Sequence, residues 1–468
     1  MIVHPEGSAE SLQLAGRLDE ARHAYEARIK ADPSDSKTLC NYGGLLNLLN
    51  RFNEATAFLT RAVQIDPDLA DGWSNLGNSF LHLSQYENAI ACYRNSIQLD
   101  CAHALALSNM GVALDHRGDH ALALQFHRLA ITAAPENAYS RTNLAVSLLQ
   151  SGQYLEGFRE YEHRWTAQNH RSFDLKKPRW TGSSAPEQTL LISTEGGFGD
   201  VIQFSRFIDQ AAQRVGRVIL HVRPELVSLL QASFPDHTVS SEDDAIPAHD
   251  LECPVLSLPM ALGTTLETIP HAEGYLVLDP DKQAFWKQKL ADDRLQGEGK
   301  CLRVGLVWAG APHPEIQAAF LADRRRSTDL STFGTLASIP DVVFYSLQVG
   351  EKASQASTPP AGMRLIDHTG FLHDFSDTAA LVGELDLVIA VDTSTCHVAA
   401  ALGKPTWLLS RYDQCWRWLS GRTESPWYES VRIFQQSAPL DWSGPVLSIK
   451  EALAVFREEH MQAQAEAV

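Results

Sequence analysis

Between residues 2 and 171 the apolar side chains recur at i, i+3, i+4 and i+7, the spacing that buries one stripe of a helix. The segments "LCNYGGLL", "WSNLGNSF", "LSNMGVAL" and "RTNLAVSL" carry that stripe, and they also repeat one another: Asn41, Asn75, Asn109 and Asn143 are spaced 34 residues apart (75 minus 41, 109 minus 75, 143 minus 109). A second amphipathic segment follows each, with Ala55, Ala89 or Ala123 at a close crossing point and a stop at Pro67 or Pro135. Cys101 stands where the third unit would have its proline, which weakens one stop without breaking the register. "LAGRLDEARHAYEARIKADP" is an earlier partial unit and "SGQYLEGFREYEHRW" the second helix of the last one. About five helical hairpins are therefore predicted over 2–171.

Beyond a linker rich in Pro, Ser and basic residues (172–188), the pattern changes to apolar runs of strand length alternating with amphipathic helices, an α/β signature. A first lobe, 189–285, contains "TLLIS", "RVILHV" and "LECPVLSL". A second, 300–460, contains "LRVGLVW", "VVFYSLQ", "DLVIAVD" and "PTWLLS". Two similar open sheets facing a cleft are predicted, with ligands at the carboxyl ends of their strands.

The 34-residue period is that of tetratricopeptide repeats, whose stacked hairpins form a superhelix with a concave groove for a peptide or protein. Each repeat asparagine lies one residue before an apolar position, about 100° round the helix, so the four would line up along one edge of that groove. An amide carries both a donor and an acceptor and can grip a peptide backbone without reading its sequence; packing or capping within the repeat is the alternative. The arrangement resembles the asparagine ladder of the protein O-N-acetylglucosamine transferases, which hold extended polypeptides this way.

Composition narrows the partners. With 39 basic against 57 acidic side chains the net charge is −18, which argues against nucleic acid or an anionic membrane as the main partner and requires any phosphate site to be local. The seven cysteines are scattered without paired spacing, so neither a disulfide framework nor a zinc site is expected. "MIVHPEGSAESLQ" lacks a signal pattern and no run approaches membrane-spanning length, so a cytoplasmic, soluble protein without membrane insertion is expected.

The stretch "EGGFGD", Glu195 to Asp200, lies between a strand-like run and a helical one. A dinucleotide fingerprint fails on spacing, because a third glycine would fall at Ile202. A different match extends over nearly the whole two-lobed region: "EYEHRW", "PRWTG", "EGGFGDVIQFSRF", "DRRRS", "FYSLQ", "DFSDTAALVGELDLVIAVDTSTCHVAAALGKPTWLL", "WRWL", "SPWY" and "DW". In order and spacing these resemble the heptosyltransferase-like glycosyltransferases of GT-B fold, two Rossmann-like lobes facing a cleft, especially the bacterial branch that follows tetratricopeptide repeats.

The resemblance implies a nucleotide-sugar donor, used as substrate rather than cofactor, bound mainly by the second lobe. It also implies an acceptor approached from the first lobe, and inverting transfer without an obligatory metal. Thr393, Ser394 and Thr395 sit at a strand end and helix start, where they either cap the helix or offer free N–H groups to a diphosphate. Asp392 suits a sugar or ribose hydroxyl, and His397, one turn on, matches the family. Arg326 is expected to neutralise charge on the leaving diphosphate, with Ser327 beside it. Gln348 and Thr378 are cleft candidates by match, Gln348 on the donor side, and Gly197 and Gly199, also on the donor side, are expected to let the backbone pass under the sugar. Asp200 is expected to be the general base, with helix capping as the alternative. Trp416, Trp418 and Trp427 either stack on a nucleobase or fill a core. "DPD" at Asp279 to Asp281 has the spacing of a metal-binding motif but lies in the lobe connection, so no metal is expected.

The expected function is transfer of a hexose or heptose to a protein acceptor chosen by the repeat groove; resemblance to other repeat-linked transferases points to flagellin or another surface-appendage subunit. Two alternatives stand beside it. One is a repeat scaffold with a non-catalytic nucleotide-sugar-binding domain, the other a transferase acting on a glycan such as lipopolysaccharide.

Overall fold

A computed structural model describes residues 7–167, 176–293, 301–314 and 316–466. Residues 2–6 and 168–171 of the expected array, 172–175 of the linker and residue 300 of the second lobe lie outside the described residues. The chain divides into two compact units, Met1–Leu148 with Glu160–His170, and Leu149–Arg159 with Arg171–Val468.

The first unit is built of antiparallel helix pairs. They are α1 (Ala9–Leu14) with α2 (Leu18–Ala31), α3 (Ser36–Leu48) with α4 (Phe52–Ile65), α5 (Ala70–His82) with α6 (Tyr86–Leu99), and α7 (Ala104–Arg117) with α8 (His120–Ala133). Then come α9 (Ala138–Gln150) and the short α11 (Arg164–Ala167), while α10 (Tyr154–Tyr161), which continues the repeat in the chain, falls mostly in the second unit. The second helices begin at Leu18, Phe52, Tyr86, His120 and Tyr154, each 34 residues after the last. The turn inside each hairpin uses one left-handed residue at the same interval: Gly16, Asn50, Ser84, Gly118 and Gly152. The crossing alanines Ala55, Ala89 and Ala123 are fully buried. Facing them, Gly43, Gly77 and Gly111 leave no room for a Cβ, because Leu59, Tyr93 and His127 of the paired helix occupy that space. The stop at Cys101 falls in register with the proline stops, since α4, α6 and α8 end at Ile65, Leu99 and Ala133.

One polar cluster interrupts this apolar core. Asp115 accepts from Ser147 Oγ at 3.2 Å and lies 3.0 Å from His120 Nδ1 and 3.2 Å from His127 Nε2. Burial works to raise its carboxyl pKa, but the two histidine contacts outweigh that and hold it below the ordinary carboxylate range.

The second unit holds two parallel sheets. The first contains β1 (Ala185–Ser193), β2 (Val215–Val222), β3 (Thr238–Ser241) and β4 (Leu251–Pro254) in the order β3-β2-β1-β4. Its helices are α12 (Phe198–Ser205), α13 (Ile208–Ala212), α14 (Pro224–Ser233) and α15 (Leu258–Leu262). Helix α16 (Pro280–Asp292) follows, and Asp279 of the "DPD" stretch caps it, accepting from the Asp281 and Lys282 amides.

The second sheet contains β5 (Leu302–Val307), β6 (Val342–Ser346), β7 (Leu365–Asp367), β8 (Leu387–Val391), β9 (Thr406–Ser410) and β10 (Val431–Gln435), in the order β10-β9-β8-β5-β6-β7. Its helices are α17 (Gln317–Arg326), α18 (Phe375–Gly383), α19 (Ser394–Ala401) and α20 (Ser443–Glu466). Val446, Ile449 and Leu453 of α20 join Leu306, Ile389 and Trp407 in the core on this sheet. Central strands β6, β8 and β9 are buried throughout and read as continuous apolar runs, whereas the edge strands β7 and β10 are partly exposed.

Counted from its own first strand, each sheet has the order 3-2-1-4, extended by two further strands in the second sheet. That is the doubly wound arrangement, in which strand order reverses between the first and fourth strands and opens a crevice at their carboxyl ends.

Candidate functional site

In the second sheet the reversal lies between β5 and β8, so the crevice is bounded by the residues that leave those strands: Trp308 to Gly310 and Asp392 to Ser394. Arg326, at the end of α17, spans it. Its Nη1 donates to the Asp392 carbonyl at 3.0 Å and its Nε to Asp323 Oδ1 at 3.1 Å. Ser327 Oγ donates to the same carboxylate at 2.9 Å and accepts from the Gly310 amide at 2.9 Å.

Thr393 precedes α19 in extended conformation and its side chain makes no capping bond. Its Oγ1 is out of solvent and has no hydrogen-bond partner among the described residues. A hydroxyl left unpartnered beside the open N–H groups of a helix start is a polar position prepared for an oxygen-bearing ligand. Burial works to raise the Asp392 carboxyl pKa; His397 first, then Arg326, Arg417 and Arg411, outweigh it and hold the carboxyl below its ordinary range.

In the first sheet the loop leaving β1 is "EGGFGD". Gly196 takes φ +74, which turns the chain into α12, and Asp200 Oδ2 accepts from the Gly197 amide at 2.7 Å. The other oxygen, Oδ1, accepts from Arg417 of the second sheet's loops. Asp200 is thus at once a helix cap and half of an ion pair. Gly199 serves a contact between the two halves: a Cβ there would lie 2.8 Å from His397 Cδ2 on α19. Its smallness is required by α19 packing, rather than by a ligand passing beneath it.

His397 is 4 % exposed, stacked on Trp418 with ring centroids 5.2 Å apart, and its Nδ1 lies 2.9 Å from the Tyr428 hydroxyl. Its Nε2 is 3.9 Å from Asp392 Oδ1. Burial pushes the imidazole down to about 4, with Asp392 opposing and Arg417 reinforcing the shift, so the ring is neutral near pH 7. His397 seats α19 on α12 through its contact with Gly199, and its Nε2 stays beyond hydrogen-bond distance of Asp392.

Gln348 also acts through its neighbours. Its Oε1 accepts from the Trp308 and Ala309 amides at 3.0 and 2.8 Å, and its Nε2 donates to the Ala309 and Val349 carbonyls at 3.0 and 2.8 Å. Every bond an amide can make is filled, so Gln348 clamps the turn after β5 and has no capacity left for a donor. Trp416, Trp418 and Trp427 are 5, 0 and 0 % exposed, packed against Phe158, His397 and Tyr154 respectively; packing, rather than nucleobase stacking, is what they do.

Two arginines that sequence reasoning passed over hold this arrangement together. Arg206, from the end of "EGGFGDVIQFSR", is 1 % exposed. Its guanidinium lies over Tyr275, Trp427 and Tyr428 at 4.8, 5.4 and 4.4 Å, and it donates to the Gln203 and Trp427 carbonyls at 2.9 and 2.5 Å. Arg417 pairs with Asp200 and lies 4.5 Å over the Trp416 ring. Both stand inside stretches on which the sequence resemblance rests, and that is the signal that could have found them.

In the first unit the four repeat asparagines fall on equivalent positions of α3, α5, α7 and α9, and each amide nitrogen donates to the preceding hairpin. Asn41 reaches Glu10 at 3.4 Å, Asn75 reaches Cys40 Sγ at 3.6 Å, Asn109 reaches Asn78 at 2.8 Å and Asn143 reaches Ser108 at 3.1 Å. The side-chain oxygens of Asn41, Asn75 and Asn109 accept no hydrogen bond among the described residues.

No group of three or more potential metal ligands is found among the described residues, and no helix there is long and apolar enough to cross a membrane.

The matching family models lie within the first unit. Tetratricopeptide-repeat family models match residues 8–70 and 70–100. Protein FlbA of Caulobacter vibrioides is 27% identical over 332 residues, covering 66% of this chain and 54% of that protein, so the chain spans about half the length of the relative it matches. Among solved structures, MamA is 20% identical and covers 36% of this chain and 98% of that one, with a TM-score of 0.30. A thermophilic repeat protein of Thermus thermophilus, TTC0263, is 19% identical and covers 36% of this chain and 89% of that one, with a TM-score of 0.32. The N-terminal part of the chain is a tetratricopeptide-repeat scaffold of the kind that takes a protein or peptide partner.

Proposed function

We propose that the chain is a glycosyltransferase of GT-B type that moves a sugar from a nucleoside-diphosphate donor to a hydroxyl of a protein acceptor selected by the repeats. Asp200 takes the proton from the acceptor hydroxyl and the oxygen bonds to the anomeric carbon with inversion. The bond from that carbon to the diphosphate breaks, and the nucleoside diphosphate leaves. Arg326, the Thr393 hydroxyl and the N–H groups opening α19 meet the departing charge, so the cationic character required at that point is supplied by arginine. Flagellin or another surface-appendage subunit is the acceptor class this reading favours.

One observation carries the proposal. The β5–β8 crevice, with Arg326 and the unpartnered Thr393 hydroxyl, lies on the sheet whose Arg417 pairs with Asp200 of the loop after β1, and this pairing supports reading a base and an anion site together. Asp200→Asn preserves a capping oxygen and removes the base. With an acceptor found by comparing glycosylated proteins in cells with and without this chain, the variant is expected to fold, bind donor and transfer sugar about a hundredfold more slowly or worse. Transfer near the unaltered rate would leave Asp200 as a cap. Nucleotide-sugar binding without any transfer by the unaltered chain would favour the non-catalytic scaffold.

A further inference from the structure

We propose that Arg417 is a donor-sensing latch: it holds Asp200 while the anion site is empty and turns to the donor's diphosphate when that arrives, freeing the carboxylate. This rests on the donor and base assignments just made, and adds an order of events to them.

The geometry supplies the argument. Asp200 has both oxygens engaged, one by the Gly197 amide and one by Arg417, and a carboxylate so held is a poor proton acceptor for a third group. The cap belongs to the helix and stays; the ion pair is the removable half. Its side chains are 14 and 20 % exposed, so it is enclosed and weakly screened, but open enough for a small anion to reach.

Charge complementarity points the same way. On the second sheet's loops Arg326 is paired with Asp323, and Arg325 and Arg411 share Asp413 at 3.0 and 3.4 Å. Arg417 instead pairs with a carboxylate contributed by the first sheet. A diphosphate at the β5–β8 crevice carries more negative charge than one carboxylate and offers several acceptor oxygens to a guanidinium fork, so it out-competes Asp200 for Arg417. Arg417 also contacts Cys415 Sγ at 3.3 Å and lies over Trp416, and these contacts keep it on the second sheet's side when the pair opens.

The test is a double-mutant cycle read by calorimetry with inorganic pyrophosphate as probe. Asp200→Asn, and Asp200→Ser as a second variant that keeps a capping oxygen, are expected to bind pyrophosphate about fivefold more tightly than the unaltered chain, because Arg417 no longer has a carboxylate to leave. Arg417→Gln is expected to weaken binding about tenfold, and adding Asp200→Asn to it is expected to restore nothing. If Asp200→Asn still tightens binding in the Arg417→Gln background, the effect is through-space repulsion and the latch is overturned while the donor site stands. Equal binding by the unaltered chain and both Asp200 variants also overturns the latch alone. No pyrophosphate binding by the unaltered chain or any variant overturns the donor site itself, and the latch with it.

Discussion

His397 illustrates how a residue singled out for chemistry can be enclosed by packing. It matched the donor side by sequence, yet the fold surrounds it with Trp418, Tyr428 and the backbone of Gly199, and only its edge approaches Asp392. Its protonation is a stability question. The ordinary value of 6.5 applies to the unfolded chain, while burial lowers the folded value to about 4; Asp392 and Asp200 oppose the shift, and Arg417 and Arg206 reinforce it. The unfolded chain therefore takes up a proton first as pH falls. The stability contributed by a neutral His397 is complete above about pH 6.5 and drains away as pH approaches 4, by about 3 kcal/mol in all. Urea unfolding of His397→Gln is expected to show a flatter decline over that window than the unaltered chain. An identical decline would mean that the native ring titrates as it does in the unfolded chain.

At the scale of elements, the ladder of asparagines divides its work between its two polar atoms. Nitrogen stitches one hairpin to the one before, and under the proposed function the oxygens of Asn41, Asn75 and Asn109 are the atoms that would meet a peptide N–H. Changing Asn75 and Asn109 together to Ala is expected to lower affinity for the acceptor polypeptide about tenfold, and to cost about 1 kcal/mol of folding stability for each stitch lost. Binding measured beside thermal melting separates the two. Unchanged acceptor affinity in a variant that melts lower would leave the ladder as stitching alone. Repetition made these elements readable: the left-handed turn residues and the glycines facing Leu59, Tyr93 and His127 keep the interval that the asparagines announced. In the second unit the central strands were readable because burial on both faces makes them continuously apolar. Strands β7 and β10 were passed over because an edge strand alternates or shortens, as "VRIFQ" and "LID" do.

For the whole molecule, two compact units with separate cores imply separable unfolding. Calorimetric scans are expected to resolve two transitions, with pyrophosphate stabilising one alone, by about 2.7 kcal/mol at a hundredfold excess over its Kd. Assigning that transition to residues 176–466 by limited proteolysis checks the donor site independently of catalysis. A shift of both transitions, or of the other one, would place anion binding elsewhere.

What the sequence determined by itself was whatever depends on near neighbours. Periodicity within a helix, the recurrence of one hairpin after 34 residues, the apolar runs of central strands, and a glycine-rich loop between β1 and α12 are all consequences of local burial and turn chemistry. Which residues those elements bring together was decided by strand order and packing. Arg417 and Asp200 are 217 residues apart, and Arg206 and Trp427 are 221 apart. Neither pairing leaves a trace in composition or spacing. The same holds for Gln348, whose type suits a ligand contact and whose amide is filled by its neighbour Val349 and by backbone of the turn after β5, 39 to 40 residues earlier in the chain. A side chain's chemistry is written in its identity, but its remaining capacity for bonds depends on which partners the fold has already given it.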